Sequence, residues 1–152
     1  MNKEFIPYEQ ALELKELGFD EDVIAYWEKN SLLKPIPMSD FINSFPVNDY
    51  PKADWIAAPL YQQAFRWFRK KYDLFGCIDL QVCNPSHWFI RIDKIDINDY
   101  LYHSEDENIQ YNTYEEAELA CLTKLIKLIL ETKGGEVFSN NSDIIIEIAK
   151  NK

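Results

Sequence analysis

The feature that most constrains the fold of this sequence is an amphipathic helix predicted over residues 113–131. Thr113 can cap the amide of Glu116, whose carboxylate can reach back to the amide of the cap, which is the pattern of a capping box. Apolar side chains recur at helical spacing and form one broad face, which comprises Tyr114, Ala117, Cys121, Leu122, Leu125, Ile126, Leu128 and Ile129. Polar side chains occupy the opposite sector, which comprises Glu116, Thr123, Lys124, Lys127 and Glu131. A face this wide has to be buried, so we expect the helix to pack on a sheet or on other helices.

Two further helices are predicted nearer the N-terminus. In residues 60–72 one face is apolar and largely aromatic, and it comprises Tyr61, Ala64, Phe65, Phe68 and Tyr72. Cations and glutamines occupy the other face of that helix. Residues 7–17 predict a shorter first helix, because Pro7 is tolerated at a helix entry and Gly18 is a common exit residue.

Between the two long helices the sequence predicts β-strands. Residues 77–83 and 87–95 show alternating side chains, and the Asn-Pro-Ser turn between them predicts a hairpin. Residues 99–103 predict a third strand. Residues 23–33 fit either a hairpin or a short helix, and the sequence leaves that choice open.

The order of helix, strands and helix across residues 60–131 predicts an α+β fold. We expect a small antiparallel sheet of two to four strands, packed on one face by two amphipathic helices, with an extra N-terminal helix. A length of 152 residues is most simply one globular domain over residues 1–152. The contribution of residues 136–152 stays open, because residues 143–149 fit either a strand or a helix.

A long irregular loop is predicted over residues 35–59, where five prolines interrupt any regular pattern. The aromatic content of this segment is too high for a solvated linker, so we expect the loop to pack onto the domain. Loops of this length often carry function. Phe41, Phe45 and Trp55 are therefore candidates for a contact surface.

The run over residues 63–72 interleaves cations with aromatic rings, a composition typical of single-stranded nucleic-acid platforms. Helical phasing turns most of the rings inward and leaves Arg66, Arg69 and Lys70 on the solvated face, with Trp67 beside them. The favoured interpretation is an ordinary amphipathic helix. A patch that docks an acidic protein segment and a nucleic-acid contact are the two alternatives.

Charge and composition restrict the partners further. The formal net charge of −10 at pH 7 opposes binding to a phosphate backbone. The polar start and the lack of an apolar run of transmembrane length predict a cytoplasmic protein without a membrane partner. The three cysteines are expected to be free thiols, and no Cys or His pair has zinc-site spacing, so we expect no metal and no cofactor.

No catalytic motif is visible in the sequence. His87 and His103 are the side chains that titrate near neutrality, and neither belongs to a recognisable nucleophile or metal motif. Cys83 could approach His87 across the predicted hairpin, but an unreactive pair is the favoured interpretation. The acidic residues between 93 and 107 do not form a calcium loop, because Leu101 stands where such a loop needs glycine.

Three blocks of the sequence carry a resemblance: residues 5–20, FIPYEQALELKELGFD; residues 58–72, APLYQQAFRWFRKKY; and residues 112–122, NTYEEAELACL. They resemble small uncharacterised proteins encoded by phages and integrated elements of gut Bacteroidetes. The resemblance implies a genomic setting, that of a cytoplasmic accessory protein of a mobile element. It implies no activity and no site residues, and residues 134–152 depart from the pattern.

These observations predict a non-catalytic interaction module, and not an enzyme, whose partner is another protein. The acidic charge and the many aromatic residues favour this function, and the sequence leaves the oligomeric state open. A nucleic-acid-associated protein that uses the basic face of residues 60–72 is one alternative. A small enzyme with an unrecognised site is the other.

Overall fold

The computed structural model describes residues 2–28, 32–37, 47–49, 54–82, 86–95 and 100–134. The chain divides into two compact units, Met1–Trp67 and Phe68–Lys152. The expectation of one domain over residues 1–152 stays a prediction. The alternatives for residues 143–149 lie outside the described residues.

The first unit begins with the predicted N-terminal helix. α1, Tyr8–Glu16, follows Pro7 and buries Ala11 and Leu14. Gly18 lies just beyond the helix with a φ of 81°, a left-handed conformation that glycine adopts without steric cost. The helix predicted over residues 7–17 is therefore confirmed, together with its exit residue.

A three-stranded antiparallel sheet completes the first unit. β1, Ala25–Glu28, pairs with β2, Leu32–Pro35, on one side and with β3, Trp55–Ala57, on the other. Of the two alternatives for residues 23–33, the structure has the hairpin. The ring of Tyr26 stacks on Trp55 of the neighbouring strand with centroids 3.8 Å apart, a cross-strand contact that stabilises the central strand.

The prediction of an irregular loop over residues 35–59 is wrong at its C-terminal end, where β3 lies. Three residues are too few to show alternation, and all three are buried. Hydrogen bonds from β1, distant in sequence, decide their conformation. Asn48 supports the strand, since its Oδ1 accepts from the Ala57 N–H at 3.0 Å. Residues 38–46 and 50–53 of the predicted loop lie outside the described residues.

α2, Tyr61–Tyr72, confirms the helix predicted over residues 60–72 and runs across the division between the two units. Its first turn is capped by Gln63, whose Oε1 accepts from the Leu60 N–H at 3.0 Å. The predicted apolar face is buried. Asp73 follows with a φ of 56° and leads directly into the next strand.

The second unit contains a second three-stranded antiparallel sheet. It consists of β4, Leu74–Gln81, β5, His87–Lys94, and β6, Tyr100–His103, in the order β4-β5-β6. The predicted hairpin and third strand are thus confirmed. β4 begins earlier than predicted, because Gly76 pairs with Ile92 inside the strand instead of preceding it.

α3, Tyr114–Gly134, packs on β4 and β5 and forms the core of the second unit. Its buried side chains are Ala117, Cys121, Leu122, Leu125, Ile126 and Ile129, all at 2% exposure or less. Tyr114, which was predicted on this face, is instead 44% exposed. At the first position of the helix its ring lies edge-on to Trp88, with centroids 5.3 Å apart.

The N-terminus of α3 carries the predicted cap with one difference. Thr113 Oγ1 accepts from the Glu116 N–H at 3.2 Å, as expected for a capping residue. Glu116 Oε2 accepts from the Asn112 N–H at 3.0 Å, one residue before the cap, and not from the cap's own amide. The carboxylate also lies near the positive end of the helix dipole, so both interactions stabilise the helix start.

The fold is α+β, as predicted. In the described ranges there are three α-helices and two three-stranded antiparallel sheets. The prediction of a single sheet is wrong. The described residues form two sheets, because β1 pairs with both β2 and β3 in a sheet separate from that of β4, β5 and β6. No helix among the described residues is both long and apolar enough to span a membrane.

Candidate functional site

Within the first unit, Arg66 and Trp67 of α2 contact the acidic residues Asp20 and Glu21. Arg66 Nη2 is 2.7 Å from Glu21 Oε2, and the Glu21 carboxylate raises the pKa of the guanidinium. Trp67 Nε1 donates to Asp20 Oδ1 at 3.1 Å. Arg66, one of the cations that could contact phosphates, is therefore already paired with one of the chain's own carboxylates.

The remaining predicted cations of α2 belong to the second unit. Arg69 Cζ lies 6.0 Å from the centroid of the Phe75 ring, within the range of a cation–π contact. Lys70 is exposed. These two residues are thus at the surface, as predicted, but one of them lies over an aromatic ring of the following strand.

The aromatic candidates do not lie on the surface where the structure describes them. Trp67 is 2% exposed and packs on Phe19 with ring centroids 5.4 Å apart, so the expectation of a ring beside the solvated face is wrong. Trp55 is 6% exposed, because it stacks on Tyr26 in the first sheet. Phe41 and Phe45 lie outside the described residues.

The histidines do not line a common site. His103 Nδ1 is 3.8 Å from Glu105 Oε2, and its ring stacks on Phe89. His87 is half-buried at the start of β5, and Cys83 lies outside the described residues. Within the described part of the chain, no group of three or more His, Cys, Asp or Glu side chains is placed to hold a metal ion.

The two described cysteines are held as thiols. Cys121 is fully buried on α3, and burial raises the pKa of its thiol to about 12. Cys77 is half-buried, and burial followed by the charge of Asp93 raises its pKa as well. Because the thiolate is the reactive species, these shifts make both cysteines poor nucleophiles at neutral pH.

Charged groups on the second sheet's other face compensate one another. Arg91 Nη1 is 3.3 Å from Asp79 Oδ2, and Arg91 Nε is 3.0 Å from Asp93 Oδ1. Arg91 alternates with Ile90 and Ile92, whose side chains are buried, so this cluster lies on the face opposite α3. We interpret it as a structural network, since each charge has a partner of opposite sign.

A concave surface lies on the other side of this sheet, between α3 and the β5–β6 edge. We call it the α3 groove. Its lining residues come from both walls and are Ile90, Tyr102, Tyr111, Glu116, Leu119, Ala120, Thr123, Lys124 and Lys127. The groove is largely open to solvent and has a volume of about 490 Å³, within the range of ~300–1,000 Å³ that is typical of ligand sites.

The strand wall of the α3 groove is fixed by backbone hydrogen bonds. Trp88 and Tyr111 exchange two N–H to carbonyl hydrogen bonds, each 2.9 Å long, which hold Tyr111 against β5. Ser104 is fully buried, and its Oγ accepts from the Ile90 N–H at 3.0 Å. Hydrogen bonds to β5 therefore hold the backbone at Tyr111 and beside Tyr102, the two residues whose rings line this wall.

One lysine of the helix wall lies over a ring of the strand wall. Lys124 Nζ is 3.9 Å from the centroid of the Tyr102 ring, a close cation–π contact. The hydroxyl of Tyr102 donates to Glu107 Oε2 at 3.0 Å. Burial, and then this carboxylate, raise the pKa of Tyr102, and burial raises the pKa of Tyr111, so both phenols stay neutral at neutral pH.

The helix wall of the α3 groove includes residues from the polar face of α3, which the sequence predicts to be solvent-exposed. Thr123, Lys124 and Lys127 were predicted to lie opposite the buried face, and in the structure they border the α3 groove. Helical periodicity indicates that such residues are outside the core. It does not indicate that Tyr102 and Tyr111 stand across from them.

Comparison with protein-family models, with curated proteins and with solved structures finds no match to this chain. The resemblance to proteins of phages and integrated elements therefore stays a prediction.

Proposed function

We propose that this chain is a non-catalytic protein-interaction module and that its partner binds in the α3 groove. The observation that carries the proposal is the composition of this groove. It combines an apolar floor at Ile90 and Leu119 with the phenols of Tyr102 and Tyr111 and a lysine at its rim. Aromatic rings that present an apolar body and a polar tip are enriched where proteins bind one another.

The groove also suits binding because contacts within the chain hold the side chains of its walls. Tyr111 is held by a two-bond bridge to β5, and Tyr102 by Glu107 on one side and Lys124 on the other. A preorganised surface loses less side-chain entropy on association than a mobile one. An accessory role in a phage or integrated element, and a cytoplasmic location, are parts of this proposal that rest on the sequence resemblance and composition.

A nucleic-acid contact through α2 is the weaker candidate. The cations that would carry it are Arg66, Arg69, Lys70 and Lys71, and the first is ion-paired with Glu21. A protein with a net charge of −10 gains little from a phosphate backbone unless its cations are concentrated on one face. A small enzyme is the third candidate, and the pair of His103 and Glu105 is the observation in its favour.

A comparative pull-down tests the proposal. Tagged wild-type protein, an Ala120→Phe variant that fills the α3 groove, and a Gln62→Phe control on exposed α2 surface are incubated with a gut Bacteroidetes lysate, with and without nuclease. We expect a nuclease-resistant protein in stoichiometric yield that Ala120→Phe loses by at least about tenfold and Gln62→Phe retains. Circular dichroism of each variant verifies that the fold is intact.

Other results would contradict the proposal. A partner retained equally by Ala120→Phe would place binding elsewhere on the protein, and an empty catch would remove the support for a protein partner. A catch that nuclease abolishes, and that Arg66→Glu with Arg69→Glu also abolishes, would favour the nucleic-acid candidate.

A further inference from the structure

From the charges at the α3 groove we infer that it selects an acidic peptide segment, in which carboxylates flank one bulky apolar side chain. This inference rests on the proposed function and adds the chemistry of the partner. The groove would seat the apolar side chain between Tyr102 and Tyr111. Lys124 and Lys127 would meet the carboxylates at one end.

The positive end of the groove is formed by one side of α3. Lys124 and Lys127 are three residues apart, so their side chains emerge on the same side of the helix. Lys127 is exposed, and Lys124 is half-buried with its ammonium over the Tyr102 ring. Two ammonium groups at one end of a groove are a local exception in a chain of net charge −10.

Two carboxylates at the groove, Glu116 and Glu107, are engaged with other groups. Glu116, which lines it, accepts from the backbone N–H of Asn112. Glu107 accepts the hydroxyl proton of Tyr102 on the strand side. An incoming carboxylate can therefore approach the lysines without displacing either interaction, and charge complementarity favours an anionic partner over a cationic one.

The floor of the groove distinguishes a peptide from a nucleic acid. Leu119 and Ala120 are half-buried and supply accessible apolar surface there, and Ile90, which also lines the groove, is 1% exposed. Burying an apolar side chain on this floor is favourable in proportion to the area covered. A nucleic-acid strand needs a track of cations along its backbone, and two lysines beside an apolar floor do not provide one.

A peptide-display selection tests the inference. A random peptide library is selected on wild-type protein, on the groove-filling Ala120→Phe variant and on a Lys124→Glu/Lys127→Glu double variant. A Lys70→Glu variant, which changes an exposed lysine of α2, is the control. We expect the ratio of acidic to basic residues in the selected peptides to exceed that of the starting library by about fivefold, as two surface ion pairs would give. The double variant should reverse this preference, and Lys70→Glu should leave it unchanged.

The outcomes separate the inference from the proposed function. Peptides that Ala120→Phe no longer binds depend on the groove. If such peptides carry no acidic excess, the inference is overturned and the proposed function stays in place. No peptide enriched on wild type over Ala120→Phe would overturn both. A mixed-sequence single-stranded oligonucleotide, bound as tightly as the best peptide and released by Lys124→Glu/Lys127→Glu, would replace the peptide with a nucleic acid.

Discussion

Replacing Ile126 by alanine tests whether the inner face of α3 is the core of the second unit. Ile126 is 0% exposed, and Leu122, Leu125 and Ile129 on the same helix are buried with it. The substitution removes three carbon atoms, which at about 0.8 kcal/mol each amounts to about 2.4 kcal/mol of lost burial. The cavity left in a close-packed interior adds to this, so we expect a total loss of about 3–4 kcal/mol in the free energy of unfolding.

Two matched variants calibrate that measurement. Ile126→Val removes a single carbon and should cost about 1 kcal/mol, and Lys127→Ala, at the exposed neighbouring position, should change stability by no more than about 0.5 kcal/mol. Urea unfolding followed by far-UV circular dichroism gives all three values. If Ile126→Ala cost as little as Lys127→Ala, the assignment of this face to the core would be refuted.

Three further predictions concern the helix cap, a buried indole and a buried thiol. Thr113→Ala should lower the free energy of unfolding by about 1 kcal/mol in urea titrations, because the Glu116 N–H loses its acceptor, and Thr113→Ser should recover most of it. Trp67→Phe keeps a ring in the interior but removes the hydrogen bond to Asp20 and leaves space where the larger indole was packed, so thermal unfolding should show a loss of about 2–3 kcal/mol; an unchanged midpoint would contradict both contacts. The pKa of Cys121 is about 12 in the folded protein against an ordinary value of 9.0, so the folded state holds this proton longer. Stability should fall as pH rises from 9 toward 12, by up to about 1.4 kcal/mol per pH unit from this group, and Cys121→Ala should flatten that slope in urea titrations at each pH.

The elements that the sequence predicts well are those with a local signal. α1, α2 and α3 each show a repeat of apolar side chains at helical spacing, and α3 adds a capping pattern at Thr113. The hairpin of β4 and β5 shows alternation on both sides of a turn. Each of these signals lies within a few residues, so no distant contact is needed to read it.

The elements that the sequence misses depend on distant partners. β3 has three residues, and its conformation follows from pairing with β1, almost thirty residues earlier in the chain. Trp67 turns inward because its ring packs on Phe19 and its Nε1 donates a hydrogen bond to Asp20, although helical phasing places it beside the solvated face. Neither partner can be identified from the residues around the position itself.

The candidate site also combines features that local sequence predicts with features that depend on distant contacts. The sequence by itself determined that α3 has an apolar face and a polar face, that Thr113 caps it, and that Lys124 and Lys127 lie outside the core, because these properties follow from helical geometry and local capping. Only the tertiary structure decided that Tyr102 and Tyr111 stand opposite those lysines. That arrangement arises from the pairing of β6 with β5 and the bridge between Trp88 and Tyr111, contacts that a single helix does not encode.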